Sequence, residues 1–185
     1  MTASPSAWRR SVLIVLAVAA AVHLLAVWAV PRVIMARVLD RIAPPPGAAP
    51  LLPPRADAAQ RAIVMPSPDL LYALCGYDLS RGPLRVRADP AAGGYRGYWS
   101  IALYAGNSDN LFVFNDGMAA GRPVDLWVTA AEETAPAPPG ARRVTAAAGR
   151  GLLLMRVLAT DPAQAEAARR TLRCDAGSAA AAGAP

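Results

Sequence analysis

The longest hydrophobic run in the chain covers residues 11–30 and contains no charged side chain. Its polar members are Ser11 and His23. A helix rises about 1.5 Å per residue, so a run of this length matches the hydrocarbon core of a bilayer, which is about 30 Å thick. A helix also satisfies its own backbone hydrogen bonds in lipid. The pattern therefore predicts a single transmembrane helix that follows a short N-terminal tail, residues 1–10.

A cleaved signal peptide is the main alternative to a permanent anchor, because Arg9 and Arg10 precede the apolar run. Apolar regions of signal peptides are usually about 7 to 15 residues long, which is shorter than this run. Alanines at positions 17, 19 and 21 could nevertheless provide a cleavage site. Arginines flank the run on both sides, so the positive-inside rule alone does not fix its orientation. The short tail favours an N-terminus inside and a C-terminus outside.

Two further segments separate this span from the remaining domain. Residues 31–42 have apolar positions that share one helical face, which predicts a helical stalk, and Pro31 fits either a break or a first helical turn. Residues 43–60 form a proline-rich linker. Because proline favours extended backbone, we expect a semi-stiff spacer that holds the domain away from the bilayer.

Residues 61–175 alternate short apolar runs with turn sequences, and this pattern predicts a mainly β, antiparallel domain. The predicted strands cover residues 70–79, 84–88, 98–105, 111–115, 124–130 and 151–159. Residues 161–173 then predict one C-terminal helix, with Asp161 as the N-cap and Pro162 at the first helical position. The alanine-rich tail, residues 176–185, is predicted to be disordered.

Composition excludes several classes of function. The formal net charge is +6, and all 19 basic residues are arginine, but they are scattered and match no nucleic-acid-binding motif, so nucleic-acid binding is rejected. No cofactor or metal motif is present. The one histidine, His23, lies in the predicted span, which excludes a Ser–His–Asp triad within the chain. Cys75 and Cys174 either form a disulfide in an oxidising compartment or remain two buried thiols.

An ordered series of short motifs lies in residues 69–116. They are Leu71-Tyr72, Tyr77-Asp78-Leu79-Ser80, Gly82-Pro83, Tyr98-Trp99-Ser100-Ile101, Leu103-Tyr104, Asn107, Asn110-Leu111-Phe112 and Asn115-Asp116. In this order they resemble a bacterial family known as domain of unknown function 1254. The resemblance implies a sandwich-like β fold. The apolar span and its N-in, C-out orientation predict a location at the bacterial inner membrane, with the domain in the periplasm. Longer relatives carry a second domain, of unknown function 1214, which we expect here on a separate membrane-anchored companion protein.

Candidate ligand-binding residues combine aromatic rings with amide and carboxylate groups, a combination that suits sugars or other small polar molecules. They are Tyr77, Asp78, Tyr98, Trp99, Asn115 and Asp116. Structural roles in turns and in the core compete with this interpretation, and Asp78 is predicted to cap the turn at residues 80–83 by accepting backbone amides. The family brings no catalytic residue. The leading hypothesis is a non-enzymatic binding module with the bilayer and a companion protein as partners. The alternative is a hydrolase or other enzyme that acts on a small polar or glycan substrate and uses Asp78 or Asp116 as acid or base.

Overall fold

The computed structural model describes residues 5–57, 66–134, 136–146 and 149–177. Eight strands and three helices follow one another along these residues. They are α1 (Pro5–Arg41), β1 (Leu70–Asp78), β2 (Leu84–Ala88), β3 (Trp99–Ala105), β4 (Asn110–Asn115), α2 (Asp116–Ala119), β5 (Val124–Ala130), β6 (Arg142–Ala146), β7 (Arg150–Leu158), α3 (Pro162–Arg169) and β8 (Arg173–Ala176). The predicted fold class is confirmed, since the domain is mainly β and carries one long N-terminal helix and one short helix near its C-terminus.

The strands form two four-stranded sheets. The first sheet has the order β1-β7-β3-β4 and is antiparallel throughout. The second sheet has the order β6-β5-β2-β8 and contains one parallel pair, β5 with β6. The other five strand pairings in the described residues are antiparallel, as predicted, and the β5–β6 pair is a parallel exception. Parallel neighbours need a long crossover, and the proline-rich segment 131–141 provides it.

One hydrophobic core receives side chains from both sheets, as alternation of inward and outward residues along each strand requires. Val86 of the second sheet and Ile101, Met155 and Val157 of the first are fully buried in it. Cys75 of β1 and Cys174 of β8 form a disulfide across this core. The two sheets are therefore joined both by apolar packing and by a covalent bond.

Helix α3 begins as predicted but ends earlier. The Asp161 side chain accepts hydrogen bonds from the next turn of backbone amides, and Pro162 occupies the first turn. The helix ends at Arg169, whereas the prediction extended it to residue 173. Residues 173–176 instead form β8, which pairs with β2, because the free edge of β2 offers main-chain partners that outweigh local helix propensity. Cys174 thus lies in a strand, and residues 178–185 of the predicted tail lie outside the described residues.

Helix α1 is continuous across Pro31, so the predicted span and stalk form one helix without a break. Proline has no N–H to donate to the preceding turn of the helix. Beside it, the Arg32 guanidinium donates a side-chain hydrogen bond to the Trp28 carbonyl at 2.5 Å. Among the described helices, α1 alone is long and apolar enough to cross a membrane. Its most apolar stretch has a mean hydropathy of 2.6, and none of that stretch is buried against the rest of the protein.

The last turns of α1 and the segment after it pack on the outer face of the first sheet. Met35 and Leu39 cluster with Leu74 of β1 and Leu152 of β7. Farther along, Leu51 exchanges two main-chain hydrogen bonds with Leu74, both 2.9 Å long. The described part of the linker therefore lies along β1, which is an edge strand with free main-chain groups. The described part of the linker and the end of α1 are therefore in contact with the domain, while the distance of the domain from the bilayer stays a prediction.

Candidate functional site

Tyr77 has a structural position in β1. Its side chain is 2 % exposed, and its hydroxyl donates to the carbonyl of Tyr104 at 2.9 Å. Burial raises the pKa of Tyr77 far above the ordinary value of a phenol. A Cβ at Gly151 would lie 2.2 Å from the Tyr77 ring, so glycine is required opposite it. Tyr77 therefore packs between strands, and its nearly buried side chain only borders a surface cleft.

Asp78 ends β1 and shapes the turn that follows. Its Oδ1 accepts hydrogen bonds from the Ser80 amide at 3.1 Å and from the Ser80 hydroxyl at 2.6 Å. This is the turn-capping role that the sequence predicts for the residue. Asp78 also lines a shallow cleft of about 260 Å³ together with Arg81 and Pro83.

Tyr98 and Trp99 stand at the start of β3 and differ in exposure. The Trp99 side chain is 5 % exposed, and its ring lies 6.2 Å from that of Phe114 in a tilted arrangement. Tyr98 is 43 % exposed, and its carbonyl accepts a hydrogen bond from the Tyr95 hydroxyl at 2.8 Å. Trp99 therefore belongs to the core, and Tyr98 presents its ring to solvent.

Asn115 and Asp116 form the junction between β4 and α2. The Asn115 side chain is the N-cap of α2 and accepts a hydrogen bond from the Met118 amide at 3.0 Å. Asp116 is the first helical residue, and its carbonyl accepts from the Ala120 amide at 3.0 Å. Ala120 has a left-handed backbone with φ of 49° and ends the helix. The Asn115 carboxamide is thus engaged in holding this turn.

The strand register does not bring the six predicted residues into one site. Asp78 lies opposite Arg150 of β7, whereas Asn115 lies opposite Ser100, which in turn lies opposite Arg156. Positions 150 and 156 are separated by about 20 Å along a strand that rises about 3.3 Å per residue. Strands β1 and β4 also occupy opposite edges of the sheet. Carboxylates that act on one glycosidic bond lie about 5 to 9.5 Å apart, so this geometry does not support Asp78 and Asp116 as a catalytic pair.

A cluster of Phe112, Phe114 and Arg142 lies at the open edges of the two sheets. Strands β4 and β6 are the terminal strands of the first and second sheets. The rings of Phe112 and Phe114 on β4 are stacked with centroids 6.3 Å apart. The guanidinium of Arg142, the first residue of β6, lies 5.4 Å from the Phe112 ring and 5.6 Å from the Phe114 ring. A cation in this position is attracted to the negative faces of both rings.

A cleft of about 300 Å³ adjoins this cluster, and we call it the edge cleft. Its walls combine apolar side chains with two arginines, and they include Phe114, Met118, Arg122, Val124, Leu126 and Arg142. Met118 is 47 % exposed at its rim. Because strand β4 is an edge strand, one side of its main chain is also free to accept a further strand.

The edge cleft carries a positive charge that no carboxylate neutralises. Asp125 also borders the cleft, but its two oxygens accept hydrogen bonds from the Arg85 guanidinium at 3.1 and 2.8 Å. In the part of the chain that the structure describes, neither Arg122 nor Arg142 forms an ion pair. The cleft is therefore suited to a ligand that combines an apolar group with a carboxylate or another anion.

Sequence reasoning did not find the edge cleft. It predicted β4 from the run Leu111–Asn115, but it did not predict β6, because Arg142 follows a proline-rich loop and begins a strand rich in polar residues. Two consecutive arginines after a loop give no signal that the first of them will meet two aromatic rings on a strand of another sheet. The contact depends on how the two sheets pack.

A model of a family of proteins of unknown function, DUF1254, matches residues 49–175. The chain belongs to the DUF1254 family. This result confirms the resemblance that the motifs between residues 69 and 116 indicate. The matched DUF1254 region includes both sheets and α3 and begins after α1, within the linker. That boundary agrees with the packing of Leu51 along β1, since part of the linker belongs to the domain.

Two solved structures are similar to this DUF1254 chain. The VPA0106 protein of Vibrio parahaemolyticus is 15 % identical with a TM-score of 0.51, over 58 % of this chain and 28 % of that one. An uncharacterized protein of Burkholderia cenocepacia is 22 % identical with a TM-score of 0.49, over 72 % of this chain and 36 % of that one. The chain thus spans about a third of the length of these structures, and the first likeness supports the fold alone. No curated protein matches the chain.

Proposed function

We propose that this DUF1254 protein is a membrane-anchored, envelope-facing binding module that receives a segment of a companion protein in its edge cleft. The observation that carries the proposal is the unneutralised Arg142 above two aromatic rings at the open edges of both sheets. The companion that the family resemblance suggests is a separately encoded protein with a domain of unknown function 1214.

Direct packing between α1 and the domain supports a position at the bilayer surface. The Ser108 hydroxyl donates to the carbonyl of Pro31 at 3.1 Å, close to the end of the apolar run. About two and a half turns farther along α1, the Asp40 carboxylate pairs with the Arg150 guanidinium at 2.8 Å. Such exposed ion pairs add little stability on their own, so the buried contacts of Met35 and Leu39 supply most of the attachment. The domain is held against the helix at several points.

The disulfide between Cys75 and Cys174 supports a periplasmic location for the domain. Disulfides persist in oxidising compartments such as the bacterial periplasm and are rare in the cytosol. This agrees with an orientation in which the short N-terminal tail stays inside and residues after the span are translocated. We therefore assign the domain to the periplasmic face of the inner membrane as part of the proposal.

The chemistry of the edge cleft defines the segment that it would receive. An extended segment can add to a free strand edge through main-chain hydrogen bonds, while pockets for its side chains provide specificity. Here the apolar wall formed by Phe114, Met118 and Val124 suits a hydrophobic side chain, and Arg122 and Arg142 suit an acidic one. An unpaired arginine beside aromatic groups is typical of residues that dominate binding energy at interfaces.

Co-purification tests the proposal. The full chain is produced together with the companion protein of the same genome, extracted with mild detergent and purified through a tag on the DUF1254 chain. We expect the companion to co-purify with wild type and to fall at least about tenfold with Arg142→Glu, because a reversed charge repels an acidic partner. Arg81→Glu makes the same change in charge at the β1–β2 turn and serves as the matched control.

Two outcomes would contradict the proposal. One is a wild-type chain that remains alone although both proteins are present in the membrane. The other is equal retention of the companion by Arg142→Glu and wild type. The unfolding midpoint of each variant in urea verifies that a loss of binding does not reflect a loss of folding.

A further inference from the structure

Two buried hydrogen-bond donors lie beside each other on the outer face of the first sheet without a partner among the described residues. The hydroxyl of Ser100 and the Nε of Arg156 are both buried, and neither forms a hydrogen bond within the described ranges. The two residues are directly opposite each other in the pairing of β3 with β7. Side chains that are opposed in this way have Cβ atoms about 4.5 to 5.5 Å apart.

The alternation along both strands places these side chains on the outer face. Met155 and Val157 flank Arg156 and point into the core, as do Trp99 and Ile101 on either side of Ser100. Helix α1 packs on the same outer face at Leu152 and Leu154. Arg156 lies next beyond them along β7, so it borders the part of the face that α1 occupies.

Unpartnered buried donors are costly. A buried polar group without a hydrogen bond destabilises the folded state, and the effect is larger when the group belongs to a charged side chain. Arg156 forms no ion pair in the described part of the chain, although most of the other arginines around the sheets bind carboxylates or main-chain carbonyls. A bound anion would satisfy both donors at once and would neutralise the guanidinium.

We propose that Arg156 and Ser100 form a binding site for a carboxylate attached to an apolar group. The Nε and one Nη of an arginine present two parallel N–H groups that match the two oxygens of a carboxylate. Tyr72 and Asn115 lie opposite Arg156 and Ser100 on the neighbouring strands. The next outward-facing row is apolar, since it contains Ala102, Leu154 and Val113, and Val113 is 39 % exposed. These neighbours suit the apolar part of the ligand.

Binding at this site requires a movement of one side chain. Because Ser100 Oγ and Arg156 Nε do not reach solvent, the guanidinium must swing outward as the carboxylate enters. The remainder of Arg156 is only partly buried, and its long unbranched stem permits this movement. The site differs from the edge cleft, whose arginines are Arg122 and Arg142, and it does not depend on the companion proposed above.

The carboxylate has two possible sources, and two measurements distinguish them. The first is calorimetric titration of the full chain in detergent with butyrate, and with butyramide and inorganic phosphate for comparison. We expect butyrate to bind and butyramide not to bind. Hydrogen bonds to charged groups are worth about 1.5 to 3 kcal/mol, so Arg156→Met should weaken butyrate binding by about 10- to 150-fold. Ser100→Ala should weaken it less, and Arg81→Met should not change it.

The second measurement is co-purification of the companion protein with Arg156→Met. Butyrate binding that depends on Arg156 supports a free carboxylic acid as the ligand. Loss of the companion without butyrate binding supports a carboxylate of the partner protein. If butyrate does not bind and Arg156→Met retains the companion, the site is refuted. Phosphate binding equal to that of butyrate would overturn the assignment to carboxylates. Failure of Arg142→Glu to affect the companion bears on the edge cleft alone.

Discussion

Removal of the disulfide between Cys75 and Cys174 should produce a large loss of stability. The bond joins residues separated by 99 positions and connects β1 of the first sheet to β8 of the second. In the chain-entropy description, closing a loop of about 100 residues restricts the unfolded chain by about 4.7 kcal/mol, which is an upper value because residual structure in the unfolded state reduces it. We therefore expect the free energy of unfolding to fall by about 2 to 4.7 kcal/mol.

Urea unfolding of the full chain in mild detergent measures this loss. Trp99 and Trp127 are buried in the domain and report on its unfolding by fluorescence. The double variant Cys75→Ala, Cys174→Ala and the reduced wild type should both unfold at lower urea, and the melting temperature should fall by roughly 10 °C, given about 2 to 4 °C per kcal/mol at this chain length. The Thr160→Ala variant, altered at an exposed position after β7, serves as a control.

A fully reduced wild type, verified by mass, that unfolds at the same urea concentration as the oxidised protein would refute the predicted stabilisation by the disulfide. A reduced protein less stable than the alanine variant would instead show that two buried thiols are worse accommodated than two methyl groups. Both comparisons use the same detergent and protein concentration.

Three further predictions concern the first sheet and α3. Arg169→Met removes a buried guanidinium that donates to two main-chain carbonyls and to Glu166, so unfolding in urea should show a loss of about 2 to 4 kcal/mol. Burial alone would raise the pKa of Glu166, but the hydrogen bonds and charges of Arg169 and Arg170 together outweigh burial and lower it. The stabilising contribution of Glu166 is therefore present above its ordinary value of 4.5 and is lost as pH falls through the lower folded pKa. The difference in unfolding midpoint between wild type and Glu166→Gln should shrink between pH 6 and pH 3, and a constant difference would contradict the assignment. Gly151→Ala places a Cβ against the Tyr77 ring and should cost about 1 to 3 kcal/mol or more, whereas a near-neutral result in the same assay would contradict the close packing.

Much of the fold could be predicted because its signals are local. Strand β2 alternates buried apolar residues with arginines, so its period of two is visible in the sequence. The start of α3 is likewise set by neighbouring residues, Asp161 and Pro162. Strands β6 and β8 were missed because each is short and polar, and each exists through pairing with β5 or β2 rather than through its own propensity.

The candidate site was harder to predict for the same physical reason. The capping role of Asp78 follows from its own turn and was predicted correctly. Grouping Asp78 with Asp116 was wrong, because strand order and register place them at distant corners of one sheet. The meeting of Arg142 with Phe112 depends on the packing of two sheet edges, which no local pattern encodes.

The proposed function depends most directly on α1 being a permanent membrane anchor that carries the folded domain. The decisive measurement is the intact mass of the full-length chain recovered from cell membranes after an alkaline carbonate wash. If α1 is a permanent anchor, the chain stays in the membrane fraction and its mass includes residues 11–30 of the apolar run. Release of the chain into the wash, or a mature mass that lacks this run, would contradict it.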